Sequence, residues 1–138
     1  MAQANLTRGV GTWVKDTEAV ELADGSDITA TATGSWVLAY HPGVVQVEAV
    51  SGTCTGTSVV CDVEILGADD SSGTNPVVLG KFATFDEDSD DETRRLLIEL
   101  KNKPYVQYSA VVSGSTPVVP LTIVLRDKDY HQSPERTA

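Results

Sequence analysis

The chain has little of what catalytic and membrane proteins display. Histidine and cysteine each occur only twice in 138 residues, and ten basic residues face twenty acidic ones. No stretch approaches the roughly 18 apolar residues of a transmembrane helix. The opening, Met1-Ala-Gln-Ala-Asn-Leu-Thr-Arg8, lacks a basic start followed by an apolar run, so the expectation is a protein made and used from a cytoplasm. Without a secretion signal, the sequon Asn5-Leu6-Thr7 carries no meaning. A net charge of −10 argues against nucleic acid backbones and anionic membrane surfaces, which both require a basic stripe. It favours solubility, or a partner with a complementary basic patch.

The scarcity of histidine bears on catalysis. His41 sits beside the turn Pro42-Gly43, and His131 lies in a polar C-terminal segment. A nucleophilic triad needs a base held rigidly within reach of its nucleophile, which neither position promises. Nothing marks two carboxylates as a buried pair, and Gly9-Val10-Gly11 lacks the glycine and lysine that complete a phosphate loop. No enzymatic activity and no cofactor are expected. Cys54 and Cys61 flank a turn with no histidine near them, a poor zinc site. Reduced thiols, with Cys61 a small core residue, are the plainer reading, and a bond between the two is the alternative in oxidising surroundings.

The acidic run Asp86-Glu-Asp-Ser-Asp-Asp-Glu92 has the one-three-five carboxylate spacing of a calcium loop. However, Asp91 stands where that loop requires glycine, and Leu97 where it requires a bidentate glutamate. The run is therefore expected to be a solvated, self-repelling loop and not a metal site, with loose cation binding as the alternative.

What is present is β pattern. Hydrophobic residues make up 41% of the chain, enough for one domain with a real core. From Ser58 to Leu66 the sequence alternates: Val59, Cys61, Val63 and Ile65 face one way, and Val60, Asp62, Glu64 and Leu66 the other. The Gly/Asp/Ser/Pro-rich stretch 67–76 then reverses the chain into Val77–Phe85, which makes a long hairpin the organising element. Val44–Val50 alternates through Val45, Val47 and Ala49. Tyr105–Val112 and Val118–Leu125 read as further strands separated by a turn at Ser113–Pro117, with Pro120 marking an edge or a bulge. Arg94–Leu100 reads as a strand, with a short helix as the competing reading. Ile28–Thr33 and Trp36–Tyr40 complete the set. About eight strands and no long helix predict an antiparallel β-sandwich, jelly-roll-like or immunoglobulin-like, over residues 28–126. Residues 1–27 are read as an arm and loop, with Val10–Val14 as a candidate short strand and Glu18–Leu22 as a candidate helical turn. Residues 127–138 are read as a tail.

Trp36 and Tyr108 lie within strand patterns and are expected to pack in the core or between strands, not to form a carbohydrate platform. Trp13 is set apart near the polar arm, where it suits an anchor on the domain or on a partner.

Several of these segments together resemble a known family. They are Gly56-Thr-Ser-Val-Val-Cys-Asp-Val-Glu-Ile-Leu-Gly-Ala-Asp-Asp-Ser-Ser-Gly73, then Leu79-Gly-Lys-Phe82, Arg95-Leu-Leu-Ile98, and Lys103-Pro-Tyr-Val-Gln-Tyr-Ser-Ala-Val-Val-Ser-Gly-Ser-Thr-Pro117. In this order, over roughly residues 44–126, they resemble the capsid decoration, or cement, proteins of tailed bacteriophages. The resemblance implies a jelly-roll-like sandwich on the outer face of a phage head, a homotrimer that binds the major capsid protein and reinforces contacts between capsid subunits. It places the protein on the virion's outer surface, assembled in the host cytoplasm. The arms would carry the partner contacts, with Leu6, Arg8, Trp13 and Tyr130 as the candidate residues. A carbohydrate- or host-surface-binding sandwich, or another phage part such as a tail-tube or head–tail connector component, are the alternatives.

Overall fold

Residues 19–39 and 43–127 are described by a computed structural model. They form eight strands: β1 (Val20–Ile28), β2 (Ala32–Thr33), β3 (Val37–Leu38), β4 (Val44–Ser51), β5 (Thr55–Ala68), β6 (Val77–Lys81), β7 (Thr93–Glu99) and β8 (Tyr105–Asp127). Every pairing is antiparallel, and no helix occurs among the described residues. The fold is the all-β antiparallel sandwich of about eight strands that the alternation calls for, its sheet nearly closed into a barrel.

Hydrogen bonding runs β6-β5-β8-β4-β7, with β1, β2 and β3 also paired to β8. The first half of β8 joins β5, β2 and β3 in one layer, and its second half joins β4 and β1 in the other. The expected turn at Ser113–Pro117 is therefore a bend inside one continuous 23-residue strand. Gly114 (φ +114°) and Thr116 (φ 47°) carry the bend, opposite Gly56 (φ +126°) and Ser58 (φ 53°) on β5. The β5–β8 register shifts twice there, between Thr55 and Thr57 and between Thr57 and Val60. Such bulges let paired strands turn a corner and keep their hydrogen bonds on both sides of it. A side chain at Gly114 has no room, since its Cβ would stand 2.7 Å from the Ser58 carbonyl oxygen.

The core lies between the layers. Val59, Cys61, Val63 and Ile65 of β5 are buried, as are Val45, Val47 and Ala49 of β4. Leu121, Ile123 and Leu125 of β8 meet them, and Phe82 and Phe85 fill the space under the far edge. That edge is where the barrel almost closes: a Cβ on Gly80 of β6 would stand 2.7 Å from the Ile98 side chain of β7. Burying the Val, Leu, Ile and Phe side chains among these contributes roughly 1.5–3 kcal/mol each. The strand reading of Arg94–Leu100 holds, and the hairpin is β5–β6.

Two further expectations change, and the open reading of Pro120 is decided. Residues 20–27, read as loop with a helical turn, are strand β1, held by pairing to β8 from Val20↔Leu125 to Ile28↔Val119. β1 imitates a loop because two register shifts interrupt it, and only Val20, Leu22 and Ile28 along it are buried. Tertiary pairing outweighs its weak local preference. The segments 28–33 and 36–40 shorten to the two-residue strands β2 and β3. Pro120 sits within β8 opposite the shifted stretch Asp24–Asp27 of β1, the bulge reading of that proline.

Candidate functional site

The described body has two distinct ends. Val20 pairs with Leu125 and Val45 with Asp127, so the chain enters and leaves the body at one end of one layer. The turns 69–75 and 100–104 lie at this end too, since Ala68 pairs with Tyr105 and the Leu100 amide donates to the Gly43 carbonyl at 2.9 Å. Between residues 19 and 127 stand six basic and sixteen acidic residues, so the whole net charge of −10 resides in the body and its one internal gap.

The Asp69–Asn75 turn is built from its own carboxylates. Asp70 accepts from the Thr74 hydroxyl at 2.7 Å and the Ser72 amide at 3.0 Å. Asp69 accepts from Lys103 Nζ at 2.9 Å and from Asn75 Nδ2 at 2.8 Å. These bonds, from Lys103 first for Asp69 and from the Thr74 side chain first for Asp70, hold both carboxyls below their ordinary range. The indole of Trp36 rests on this turn, its Nε1 lying 2.6 Å from where a Cβ on Gly73 would stand.

At the opposite end the acidic run 86–92 is solvated at Asp86, Asp88, Asp90 and Asp91, as expected, but it is not a free loop. It is laced to the body. Glu87 accepts from the Val59 amide and Asp90 from the Cys54 amide, each at 2.7 Å. The Asp91 amide donates to the Gly52 carbonyl at 3.1 Å, and the Ser51 amide to the Glu92 carbonyl at 2.9 Å. Ser89 is buried in the middle of the run, and its carbonyl accepts from the Ser51 hydroxyl. Arg94 then ties the loop's far side: its guanidinium donates to the Ala83 and Thr84 carbonyls, pairs with Glu92, and stacks 4.0 Å from the centre of the Phe85 ring. Among the described residues no set of three or more histidine, cysteine, aspartate or glutamate side chains converges on a metal position.

Under this loop lie the two cysteines, both free and buried. Burial pushes the Cys61 thiol up to about 11, with Asp62 adding to it. Burial also raises the Cys54 thiol, followed by the charges of Asp90, Asp86 and Glu92. Protonated thiols held this way are poor nucleophiles and poor metal ligands.

A concave feature lies along the body's side, where β1 faces the β2–β3 segment across a groove of about 380 Å³. Leu22, Ile28, Val37, Tyr108 and Leu121 give it an apolar floor, while Glu21, Asp24 and Asp27 supply its charge. Asp24 is turned onto its own strand, accepting from the Ser26 amide at 3.0 Å, and the Ser26 bonds hold its carboxyl below the ordinary range. The carboxylates of Glu21 and Asp27 have no hydrogen-bond or ion-pair partner among the described residues. Gly34 sets the groove's width: a Cβ there would stand 2.6 Å from the Tyr108 ring and 3.1 Å from the Leu22 carbonyl oxygen. Sequence reasoning missed this groove. The one available signal was the repeat of acid at 21, 24 and 27 beside Leu22 and Ile28.

The expected contact residues Leu6, Arg8, Trp13 and Tyr130 lie outside the described residues, as do His41, His131 and the Val10–Val14 segment. Tyr108 is half-buried against the core and forms a wall of the groove. In comparisons with known proteins, no family model matches the chain and no curated protein matches its sequence.

Proposed function

We propose that this chain is a structural binding protein of a phage particle, a decoration protein that attaches to the outer face of the head and holds neighbouring capsid subunits together. The observation that carries the reading is the one-sided layout of the body. The chain enters and leaves at the same end, so residues 1–18 and 128–138 both start beside Val20 and Asp127. A body that the chain enters and leaves at one end suits attachment through that end, with the acidic run 86–92 at the other end turned away from the surface. The resemblance of residues 44–126 to the decoration family supports the same assignment. Attachment at several points, as in a trimer, raises the strength of modest single contacts through effective concentration. Acidic groups that are hydrogen-bonded to the body's own backbone, as in the 86–92 loop, fit a scaffold and not a reactive centre.

The test uses mature heads assembled without the chain, to which the purified full-length protein is added. Saturable binding at symmetric positions of the shell, a trimer by light scattering, and better retention of DNA on heating are expected. Heads that bind none of it, or that lose DNA equally with and without it, overturn the proposal.

A further inference from the structure

We propose that the groove between β1 and the β2–β3 segment docks a short extended segment of a partner protein that carries arginine or lysine. Three acidic side chains and no basic one line it, so the charge it complements is positive. A second copy of this chain, itself at −10, is the wrong partner electrostatically. The floor of Leu22, Ile28, Tyr108 and Leu121 suits the aliphatic stem of a long basic side chain, which packs on apolar surface while its charged head stays at the rim. Among the described residues β1, β2 and β3 pair only with β8, so the other edge of each meets no described strand. The two register shifts in β1 and the break between β2 and β3 at Gly34–Trp36 interrupt those edges. Long strand addition is thereby disfavoured, and a few residues anchored by their side chains are what the groove accommodates. Its volume lies at the small end of ligand sites, about 300–1,000 Å³, which suits one or two side chains.

The inference rests on reading the chain as a binding protein, but not on the capsid as its partner. The experiment titrates the isotope-labelled full-length chain with three capped peptides, Thr-Arg-Val-Arg-Thr, Thr-Lys-Val-Lys-Thr and Thr-Glu-Val-Glu-Thr, and follows amide shifts. The two basic peptides are expected to move the amides of residues 21–28 and 34–37 saturably, less so in high salt, while the acidic peptide moves none. In Glu21→Gln/Asp27→Asn, which leaves the Asp24–Ser26 bond in place, affinity for the basic peptides is expected to fall about fivefold or more. Equal response to the acidic peptide, shifts confined elsewhere, or unchanged affinity in the double variant overturns the inference. Heads still decorated while the peptides fail to bind sink the groove alone; peptides that bind while heads stay bare sink the capsid reading alone.

Discussion

The acidic loop 86–92 and the acidic groove are made of the same residue types, but most of the loop's carboxylates are bonded within the body while two of the groove's three are not. In the loop, Glu87 and Asp90 accept from the amides of Val59 and Cys54, and Glu92 pairs with Arg94. In the groove, Glu21 and Asp27 find no donor among the described residues. Acid density alone therefore says nothing about availability. A carboxylate bonded to its own backbone holds structure together, whereas one facing a groove without a counter-charge is left for something else.

Substitutions around the loop should therefore show in stability, and those around the groove in binding. The largest effect is expected for Phe85→Ala, which empties the packing under the loop and removes the surface on which Arg94 stacks. A loss of about 3–5 kcal/mol in urea unfolding is expected. Arg94→Met keeps the stem but removes the donors to Ala83, Thr84 and Glu92. It is expected to lose about 2–3 kcal/mol, the range for bonds to a charged group. Asp90→Ala strands the Cys54 amide and should lose about 1–2 kcal/mol, with Asp90→Asn recovering most of it because an amide oxygen still accepts. If Asp90→Ala leaves the unfolding midpoint unchanged, the loop is the solvated run that the sequence suggested. For Glu21→Gln/Asp27→Asn the change is expected to stay within about 0.5 kcal/mol. A larger loss would make the groove's carboxylates structural as well, and the contrast would collapse.

The thiols beneath the loop sharpen the contrast by another measurement. Alkylation of the native protein at pH 8 should be slow, and Asp90→Ala should speed it at Cys54 while the groove double variant does not. Equal rates in the two variants would show that the loop does not cover Cys54. Stability also carries a pH signature. The folded Cys61 thiol titrates at about 11, above its ordinary 9.0. Its contribution is thus complete below pH 9 and is lost as pH rises from there through 11, since the unfolded chain releases that proton first.

The hairpin and β4 were legible because burial of one face imposes strict alternation: Val59, Cys61, Val63 and Ile65 are all buried, as are Val45, Val47 and Ala49. β1 was not, because Asp24, Gly25 and Ser26 form a bulge whose composition is that of a turn. The run 86–92 was visible as charge, but its hydrogen-bond donors come from residues 28 and 36 positions away, Val59 and Cys54, which no local pattern reveals. The groove was hidden for the same reason. Its walls, Glu21–Ile28 and Gly34–Val37, meet only because opposite halves of β8 hold them.

That shared strand also sets an order on folding. β8 pairs with β1, β2, β3, β4 and β5, and it comes last among the described strands. Pairs such as Val20↔Leu125 close loops spanning nearly the whole body, and contacts of such sequence separation form slowly. The β5–β6 hairpin and the β4–β7 pair can assemble earlier, but neither layer is complete until residues 105–127 arrive. During synthesis, β4 and β5 would wait with open edges, and crowding by neighbouring nascent chains at that stage favours mispairing over the native sandwich.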